Sequence, residues 1–407
     1  MKIRSITFFI DPCYPLDEAR LKAGGDFIRI ARPAFEAAGY EVQSARLAIV
    51  PFAHLLPKAS QGEQARLAQE LEAAAADLGY AYVSMGPALP EFPDSFSIVP
   101  DALAATQNVF FSGLMITTDG KVSLPAIRQC AQIIRKASTI SADGFANLRF
   151  ASLANVPPGS PFFPAAYQQG GEPSFALATE AADLAVTAFS AADSLEQGRS
   201  NLVKALEENG RKLAEVADVI ESQSRVKFYG IDFSLAPFPE EARSIGTAFE
   251  RLGVPVMGQH GSLAAAAILA DTLDQANIKR TGFSGLLLPV LEDATLAKRA
   301  AEGHLGIMDL LLYSAVCGTG LDTLPLPGDT SVEALAAILV DLAALACRLG
   351  KPLTARLMPI PGKSAGDPIS FDFAYFASSR VLPVRAAPLG MFLAGDEAFA
   401  LHPRRVS

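Results

Sequence analysis

The sequence predicts an α/β protein in which helices surround a sheet, and two observations support this fold class. Helical and extended stretches alternate through nearly the whole chain of 407 residues. Half of the residues are hydrophobic and only 19% are charged, which predicts a large core and excludes a disordered chain. Such alternation is typical of strands buried between helices.

Each element follows from its pattern of apolar residues. The predicted strands lie near 3–10, 41–50, 80–86, 109–116, 148–155, 226–234, 284–290, 353–360 and 369–376. The predicted helices lie near 17–38, 61–79, 123–137, 178–190, 195–223, 239–252, 262–277, 293–303, 306–315 and 331–349. In the helix at 195–223, for example, Leu202, Leu206 and Leu213 recur at helical spacing between charged positions.

The domain organisation expected from this pattern is one large α/β domain spanning 1–407. The stretch 151–175 differs from the rest because it is rich in Pro and Gly, yet it also contains Phe162, Phe163 and Tyr167. Plain linkers seldom carry aromatic residues so close together. The composition therefore predicts a structured loop packed over the core, serving as a lid or as an interface element.

Composition and charge also exclude several classes of function. The formal net charge of -9 argues against nucleic-acid binding, which needs a cationic face. No apolar run is long enough to span a membrane, and the opening residues lack the features of a signal peptide. Four cysteines without a CxxC pair predict reduced thiols in the cytoplasm, and four scattered histidines lack metal-ligand spacing, so no local motif proposes a metal site.

Polar residues recur at the ends of apolar strands in the second half of the chain, where α/β folds place their sites. Asp232 and Ser234 end the strand near 226–234 and either bind a substrate or cap the next turn. His260 lies between two glycines, and Ser262 begins a helix whose N-terminus suits an anion. His260 is thus a candidate acid, base or ligand, and the alternative is an ordinary loop histidine.

Ser284 lies between Gly282 and Gly285, where a backbone without Cβ allows a ligand to approach closely. We therefore count Ser284 as a candidate hydrogen-bond donor. Glu292 and Asp293 follow the next apolar run, and the favoured interpretation of Glu292 is structural, at the start of a helix.

The segment around Cys317 carries the strongest candidate for chemistry. Cys317 ends an apolar run and is followed by Gly318, Gly320 and Asp322, which predicts a tight hairpin that holds the thiol at a defined point. A thiolate becomes a nucleophile where a cation or a helix N-terminus lowers its pKa. The alternative is a buried cysteine that packs as a small hydrophobic residue.

Two basic residues complete the candidate site. Arg356 lies on the strand near 353–360, and Lys363 lies at the tip of a predicted hairpin in PGKSAGD. Lys363 would clamp an anion there, or the hairpin is simply solvated. GKS is not a phosphate-binding loop, because Leu357 stands where that motif needs its first glycine.

Five strings in order resemble the motifs of one family, domain-of-unknown-function family 711, also called uncharacterised protein family 0210. They are GIDFSLAPFP, GQHGSLAAAAIL, FSGLLLPVLED, AVCGTGLD and MPIPGKSAGD. Weaker similarity covers IRSITFFIDPC and the region 150–180, so the resemblance involves most of the chain.

The family resembles the pyruvate formate-lyase-like glycyl radical enzymes in fold. This implies a ten-stranded α/β barrel with helices outside and an internal hairpin finger, on which Cys317 would take the place of the reactive cysteine. The C-terminal stretch RVLPVRAAPLGMF lacks the segment that houses the radical, with Pro383 in place of its glycine. The resemblance therefore implies a fold and a site position, without radical chemistry.

Together these features favour an enzyme that acts on a small polar, anionic metabolite inside the barrel. Cys317 would be the nucleophile or acid–base thiol, His260 its proton-transfer partner and Asp322 an orienting group. The predicted substrate-binding residues are Asp232, Ser234, Ser262, Ser284, Arg356 and Lys363.

Two alternatives remain open. A ligand-binding or regulatory protein would use the same pocket without a reaction, and a metal-dependent variant would use Asp232, His260 and Asp322 as ligands. The expected partners are a small molecule and, from the apolar composition and the 151–175 segment, a second copy of the chain. The sequence implies no particular cofactor.

Overall fold

The computed structural model describes residues 1–56, 61–316 and 318–403. The strands are β1 (Lys2–Ile10), β2 (Ala45–Ile49), β3 (Tyr82–Ala88), β4 (Val109–Leu114), β5 (Lys121–Ser123), β6 (Phe150–Ala154), β7 (Ser174–Glu180), β8 (Lys227–Ala236), β9 (Gly320–Pro327), β10 (Leu353–Ile360), β11 (Pro368–Ile369), β12 (Ser379–Arg380) and β13 (Ala398–Ala400). The helices are α1 (Glu18–Ala37), α2 (Phe52–Leu55), α3 (Gln61–Asp77), α4 (Asp94–Ala105), α5 (Leu124–Ala137), α6 (Ala182–Ser190), α7 (Leu195–Ser224), α8 (Ile245–Arg251), α9 (Ser262–Gln275), α10 (Ala294–Ala301), α11 (Ile307–Val316) and α12 (Val332–Leu349). The predicted α/β class is confirmed.

A nine-stranded sheet in the order β8-β7-β1-β2-β3-β4-β6-β10-β9 forms the centre of the molecule. Five neighbouring strands, β1, β2, β3, β4 and β6, are parallel to one another. The two strands beyond each end of this group run the opposite way, because β7 pairs antiparallel with β1 and β10 pairs antiparallel with β6. The five parallel strands therefore all begin on one side of the sheet, called here its amino-terminal edge, and all end on the opposite side, called its carboxyl-terminal edge.

The two faces of the sheet are covered differently. On β1, Phe8 stacks on Phe27 of α1, with ring centroids 5.1 Å apart, whereas the next residue, Phe9, faces Tyr229 on the opposite side. This opposition follows from the alternation of side chains along a strand. Helices thus cover the Phe8 face.

The other face is covered by part of the aromatic loop predicted at 151–175. Phe163 packs edge-on against Phe110 with ring centroids 5.4 Å apart, and Ser84 Oγ donates to the carbonyl of Ala166 at 2.6 Å. Phe163 and Tyr167 are buried. This part of the loop therefore lies against the sheet.

Helix boundaries agree closely with the sequence pattern where caps are clear. The helix predicted at 195–223 is α7, and Ser194 Oγ accepts from the Gln197 amide at its start. α12 likewise begins after the capping Ser331 and ends at Gly350, whose left-handed backbone suits a glycine.

Of the strands and α-helices of five residues or more, strands β7 and β9 and helix α4 were not predicted. β7 runs into α6 through alanines, with no glycine or proline at the boundary. β9 contains Pro325 and Pro327, which a strand tolerates at the edge of a sheet, where β9 lies. α4 has Pro100 inside it, and this proline obscures the helical pattern.

Two predicted strands are not regular strands. The region 369–376 is mostly loop, and its alternating aromatic residues pack together around Phe145 rather than beside another strand. The segment 280–290, named here the bridging segment, pairs with β8 only at Arg280 and with β9 only at Pro289. A closed barrel is not detected, because these single bridges do not form a tenth strand of the sheet.

Among the described residues, no helix combines the length and the apolar character needed to cross a membrane.

Candidate functional site

A cavity of about 260 Å³, named here the arginine cavity, lies at the amino-terminal edge of the five parallel strands. Each strand contributes a residue at or near its first position, so the strand order brings together side chains that are far apart in sequence. The cavity is lined by Arg4, Gln43, Ser44, Arg46, Ala81, Tyr82, Gln107, Asn108, Phe110, Phe145, Leu148, Arg149, Phe162, Phe163, Glu292, Arg356, Phe373 and Tyr375.

A buried ion-pair network forms one wall of the cavity. Arg356 on β10 binds Asp322 on β9 through both carboxylate oxygens, at 2.6 and 2.9 Å, and donates to Glu292 at 2.8 Å. Arg4 on β1 forms an ion pair with the other oxygen of Glu292. Because Asp322 and Glu292 are buried, this arrangement fixes the orientation of Arg356.

The pKa values of the two carboxylates in the network are shifted in opposite directions. Burial would raise the pKa of Glu292, but the charges of Arg4 and Arg356 outweigh burial and hold its pKa below the usual range. Burial raises the pKa of Asp322, with a further contribution from Glu292, although Arg356 opposes the shift. Glu292 is thus the carboxylate most firmly held in its charged form.

Arg46 differs from the other arginines of the network because no carboxylate pairs with it among the described residues. Its Nε donates to Ser44 Oγ at 3.0 Å, and its guanidinium lies 5.1 Å from the Phe163 ring centroid and 5.7 Å from that of Tyr82. Burial and the charges of Arg4 and Arg356 lower the pKa of Arg46 to about 10. Glu292 attracts the Arg46 charge but forms no ion pair with it, and Arg46 still carries its charge near neutral pH, so its guanidinium is available to a ligand.

A fourth arginine in the wall has a structural role. Arg149 donates to the carbonyls of Leu103 at 2.8 Å, Thr106 at 2.9 Å and Val109 at 3.3 Å. It ties the end of α4 to the start of β4, and burial lowers its pKa. Four guanidinium groups thus stand against the carboxylates of Glu292 and Asp322, and the local charge is positive.

Aromatic rings form the remaining walls. Phe162 packs against Phe283, and the Arg356 guanidinium lies 5.7 Å from the centroid of the Phe162 ring. The ring centroids of Phe373 and Tyr375, in the loop that follows β11, lie 5.2 Å apart. Flat apolar walls with a cation between them suit a planar ligand that carries a negative charge.

Of the predicted site residues, Arg356 and Asp322 lie together in this network. Asp232, Ser234 and Ser284 form a second cluster on β8 and the bridging segment. Asp232 accepts from the amides of Ser234, Phe283 and Ser284 at 2.9 to 3.0 Å and from the Ser234 hydroxyl. Burial raises the pKa of Asp232 in spite of these donors. The cluster fastens the bridging segment to β8.

The other predicted site residues lie apart from the arginine cavity. His260 is exposed in the turn before α9, and Ser262, the first residue of α9, accepts from the Gly258 amide at 2.9 Å. Lys363 is exposed in the turn after β10. That turn leads into β11, which pairs with β12 and not with β10, so the predicted hairpin between neighbouring strands does not form.

Cys317 lies outside the described residues. Its neighbours show a helix-to-strand connection, since α11 ends at Val316 and β9 begins at Gly320. The hairpin expected around Cys317 therefore does not join two strands. Gly320 is instead the first residue of β9. An added Cβ at Gly320 would lie 2.1 Å from the Thr354 carbonyl oxygen.

Sequence reasoning missed Arg4, Arg46 and most of the aromatic wall, and it placed Glu292 at the start of a helix without the ion pairs that it forms with Arg4 and Arg356. Asp293 does begin α10, where it accepts from the Leu296 amide at 2.8 Å. Glu292 instead points into the cavity. The available signal was an arginine inside each of two predicted buried strands, where a charge requires a partner or a ligand.

No group of three or more His, Cys, Asp or Glu side chains within the described part of the chain is arranged to hold a metal ion.

Comparison with known proteins agrees with the motifs. The sequence model of a family described as Uncharacterised ACR (DUF711) matches residues 1–375. A UPF0210 protein of Syntrophobacter fumaroxidans is 31% identical over 373 residues, which is 86% of this chain and 81% of the relative. A UPF0210 protein of Methanococcoides burtonii is 28% identical over 349 residues, 82% of this chain and 77% of the relative.

Proposed function

This chain belongs to the uncharacterised family DUF711, also named UPF0210, and we propose that it binds a small anionic ligand with a planar body in the arginine cavity. The observation that carries the proposal is Arg46, whose guanidinium forms no ion pair with a carboxylate among the described residues. An anion would supply the missing partner, while Arg356 and Arg4 are already engaged by Glu292 and Asp322.

The planar body follows from the walls around Arg46. Tyr82 and Phe163 flank its guanidinium, and Phe110 lies against both rings. An aromatic or conjugated carboxylate or phosphate would stack on these rings while its charged group meets Arg46. The amides of Gln43, Gln107 and Asn108 in the cavity wall add polar groups that orient such a ligand.

The catalytic part of the proposal rests on Cys317 as the nucleophile or acid–base thiol, with His260 as its proton-transfer partner. Two residues after Cys317, the Thr319 amide donates to the Leu286 carbonyl at 3.1 Å, so the chain just before β9 lies against the bridging segment. Turnover in place of simple binding would require the thiol to reach the ligand. The alternative is a binding or regulatory protein with the same cavity.

The proposal includes closure of the sheet into the ten-stranded barrel that the pyruvate formate-lyase-like resemblance implies. The bridging segment would be the tenth strand. Its bridges to β8 at Ile231–Arg280 and to β9 at Pro289–Asp322 support this arrangement, as does the bond from the Val290 amide to the Asp322 carbonyl at 3.1 Å. A cytoplasmic homodimer remains the expected form, and light scattering in solution tests the dimer.

A thermal-shift screen of aromatic and conjugated acids, followed by mass spectrometry of each mixture, tests this function. Ligands that raise the melting temperature of the wild type should fail to do so with Arg46→Met, because their charged partner is gone. Arg211→Met, at an exposed position of α7, is the matched control. If the hits stabilise both variants equally, the site is wrong, and a product in the mixture distinguishes an enzyme from a binding protein.

A further inference from the structure

A second and larger opening lies at the other edge of the same five strands, where they end. It has a volume of about 850 Å³ and is named here the carboxyl-end cleft. Its lining includes a residue just beyond each strand: Asp11 after β1, Pro51 after β2, Glu91 after β3, Ile116 after β4 and Asn155 after β6. This edge is where open α/β sheets commonly bind their ligands.

The charge of the carboxyl-end cleft is opposite to that of the arginine cavity. No lysine or arginine occurs among the described residues that line it, whereas Asp11 and Glu91 both do. Asp11 Oδ1 accepts from the Cys13 amide at 2.9 Å, and Glu91 Oε1 accepts from the Thr118 amide at 2.7 Å. Each carboxylate is thus oriented through one oxygen, while the second oxygen has no partner in the described part of the chain.

A buried amide in the same cleft also lacks a donor. Gln168 is only 2% exposed; its Nε2 donates to the Glu172 carbonyl at 3.0 Å, and its backbone amide donates to Ile49 at 3.1 Å. Its Oε1 has no hydrogen-bond partner among the described residues. A buried acceptor without a donor is unfavourable, so a ligand with N–H groups would satisfy Gln168 as well as the carboxylates.

The remaining walls are mostly apolar. They include Leu55, Leu89 and Phe92, and the ring of His54 packs edge-on against Phe92 with centroids 5.4 Å apart. A ligand that fits this lining therefore needs an apolar body next to its donor group.

We infer that the carboxyl-end cleft is a binding site for a small organic cation, namely an amine whose ammonium group is held by Asp11 and Glu91 and whose apolar body lies against Leu55, Leu89 and Phe92. This site is separate from the one proposed for the anion, because the two occupy opposite edges of the sheet and have opposite charge. Each is testable without the other.

Saturation-transfer NMR on the full chain with two probes, isoamylamine and isoamyl alcohol, tests the inference. The probes share the same branched body and differ only in the charged group. We expect the wild type to bind the amine about tenfold more tightly than the alcohol, the difference that one charge-assisted hydrogen bond gives. Equal binding of the two probes, or no binding of the amine, would overturn the inference.

Variants then locate the bound amine. Asp11→Asn together with Glu91→Gln should remove the preference for isoamylamine, and both positions are accessible enough to tolerate a neutral isostere. Glu215→Gln, at an exposed position of α7, is the control for loss of one negative charge and should bind as the wild type does. Binding of isoamylamine should also be unchanged in Arg46→Met. A preference that survives in the double variant would mean that the amine binds elsewhere, against the inference.

Discussion

The charge of the arginine cavity depends on a few hydrogen bonds. Arg356 is held by two carboxylates and Arg4 by one of them, whereas the contacts of Arg46 within the described residues are the Ser44 hydroxyl and the flanking rings. Glu292 is the common partner of Arg4 and Arg356. Its removal should therefore disturb the whole network, while the network itself leaves Arg46 available.

We expect Glu292→Gln to lower the free energy of unfolding by about 3 kcal/mol near neutral pH, because two buried guanidinium groups lose a charged partner. Chemical denaturation of wild type and variant measures the difference. Glu215→Gln on the surface should change stability by no more than about 0.5 kcal/mol. A Glu292→Gln variant as stable as the wild type would mean that the ion pairs contribute nothing.

The same pair of proteins should show a defined pH dependence. The pKa of Glu292 is held below that of an unfolded glutamate, so its contribution to stability is present above the unfolded value and is lost as pH falls through the folded value. The difference in unfolding free energy between wild type and Glu292→Gln should therefore shrink as the pH falls below about 4.5. A difference that grows under acid conditions would reverse the sign assigned here.

Sequence patterns identified some of these residues and not others, for a physical reason. Asp322 follows two glycines in the string AVCGTGLD, and Arg356 lies on a predicted strand just before the string MPIPGKSAGD, so local pattern marks both. Arg4 and Arg46 sit within apolar strands, and only the pairing of β1 with β2 shows that both face one cavity with Arg356. Contacts between residues hundreds of positions apart depend on sheet order, which local pattern does not specify.

The bridging segment connects the two outermost strands of the sheet, β8 and β9. It is attached to β8 through Asp232, which receives four hydrogen bonds, and to β9 through the Val290 and Thr319 amides. Its sequence predicts a strand at 284–290, yet Pro289 and the left-handed backbone at Ser284 interrupt regular pairing. The predicted strand is therefore absent, and the segment pairs only through isolated bridges at Arg280 and Pro289.

Asp232→Asn should loosen this attachment, because an amide nitrogen would face backbone donors in place of a carboxylate oxygen. We expect a loss of stability of about 2 kcal/mol, corresponding to two buried hydrogen bonds, and faster hydrogen exchange at Phe283 and Ser284. Asp101→Asn, at an exposed position of α4 away from the bridging segment, should leave both amides protected. Unchanged exchange at these two amides in Asp232→Asn would show that the cluster does not hold the segment.

Across the whole molecule, one sheet presents two chemically different edges. Arginines and aromatic rings gather where the five parallel strands begin, and carboxylates with apolar side chains gather where they end. The sequence predicted the α/β class and the family from local strings. It did not separate these two edges, because charged residues from both are interleaved along the chain.

The most direct test of the central proposal is calorimetric titration of benzoate, phenyl phosphate and benzyl alcohol into wild type and Arg46→Met. We expect the two anions to bind the wild type about tenfold or more tighter than the alcohol, and to lose that advantage in Arg46→Met. The proposal is contradicted if the anions bind no more tightly than benzyl alcohol, or if their affinity is the same in both proteins.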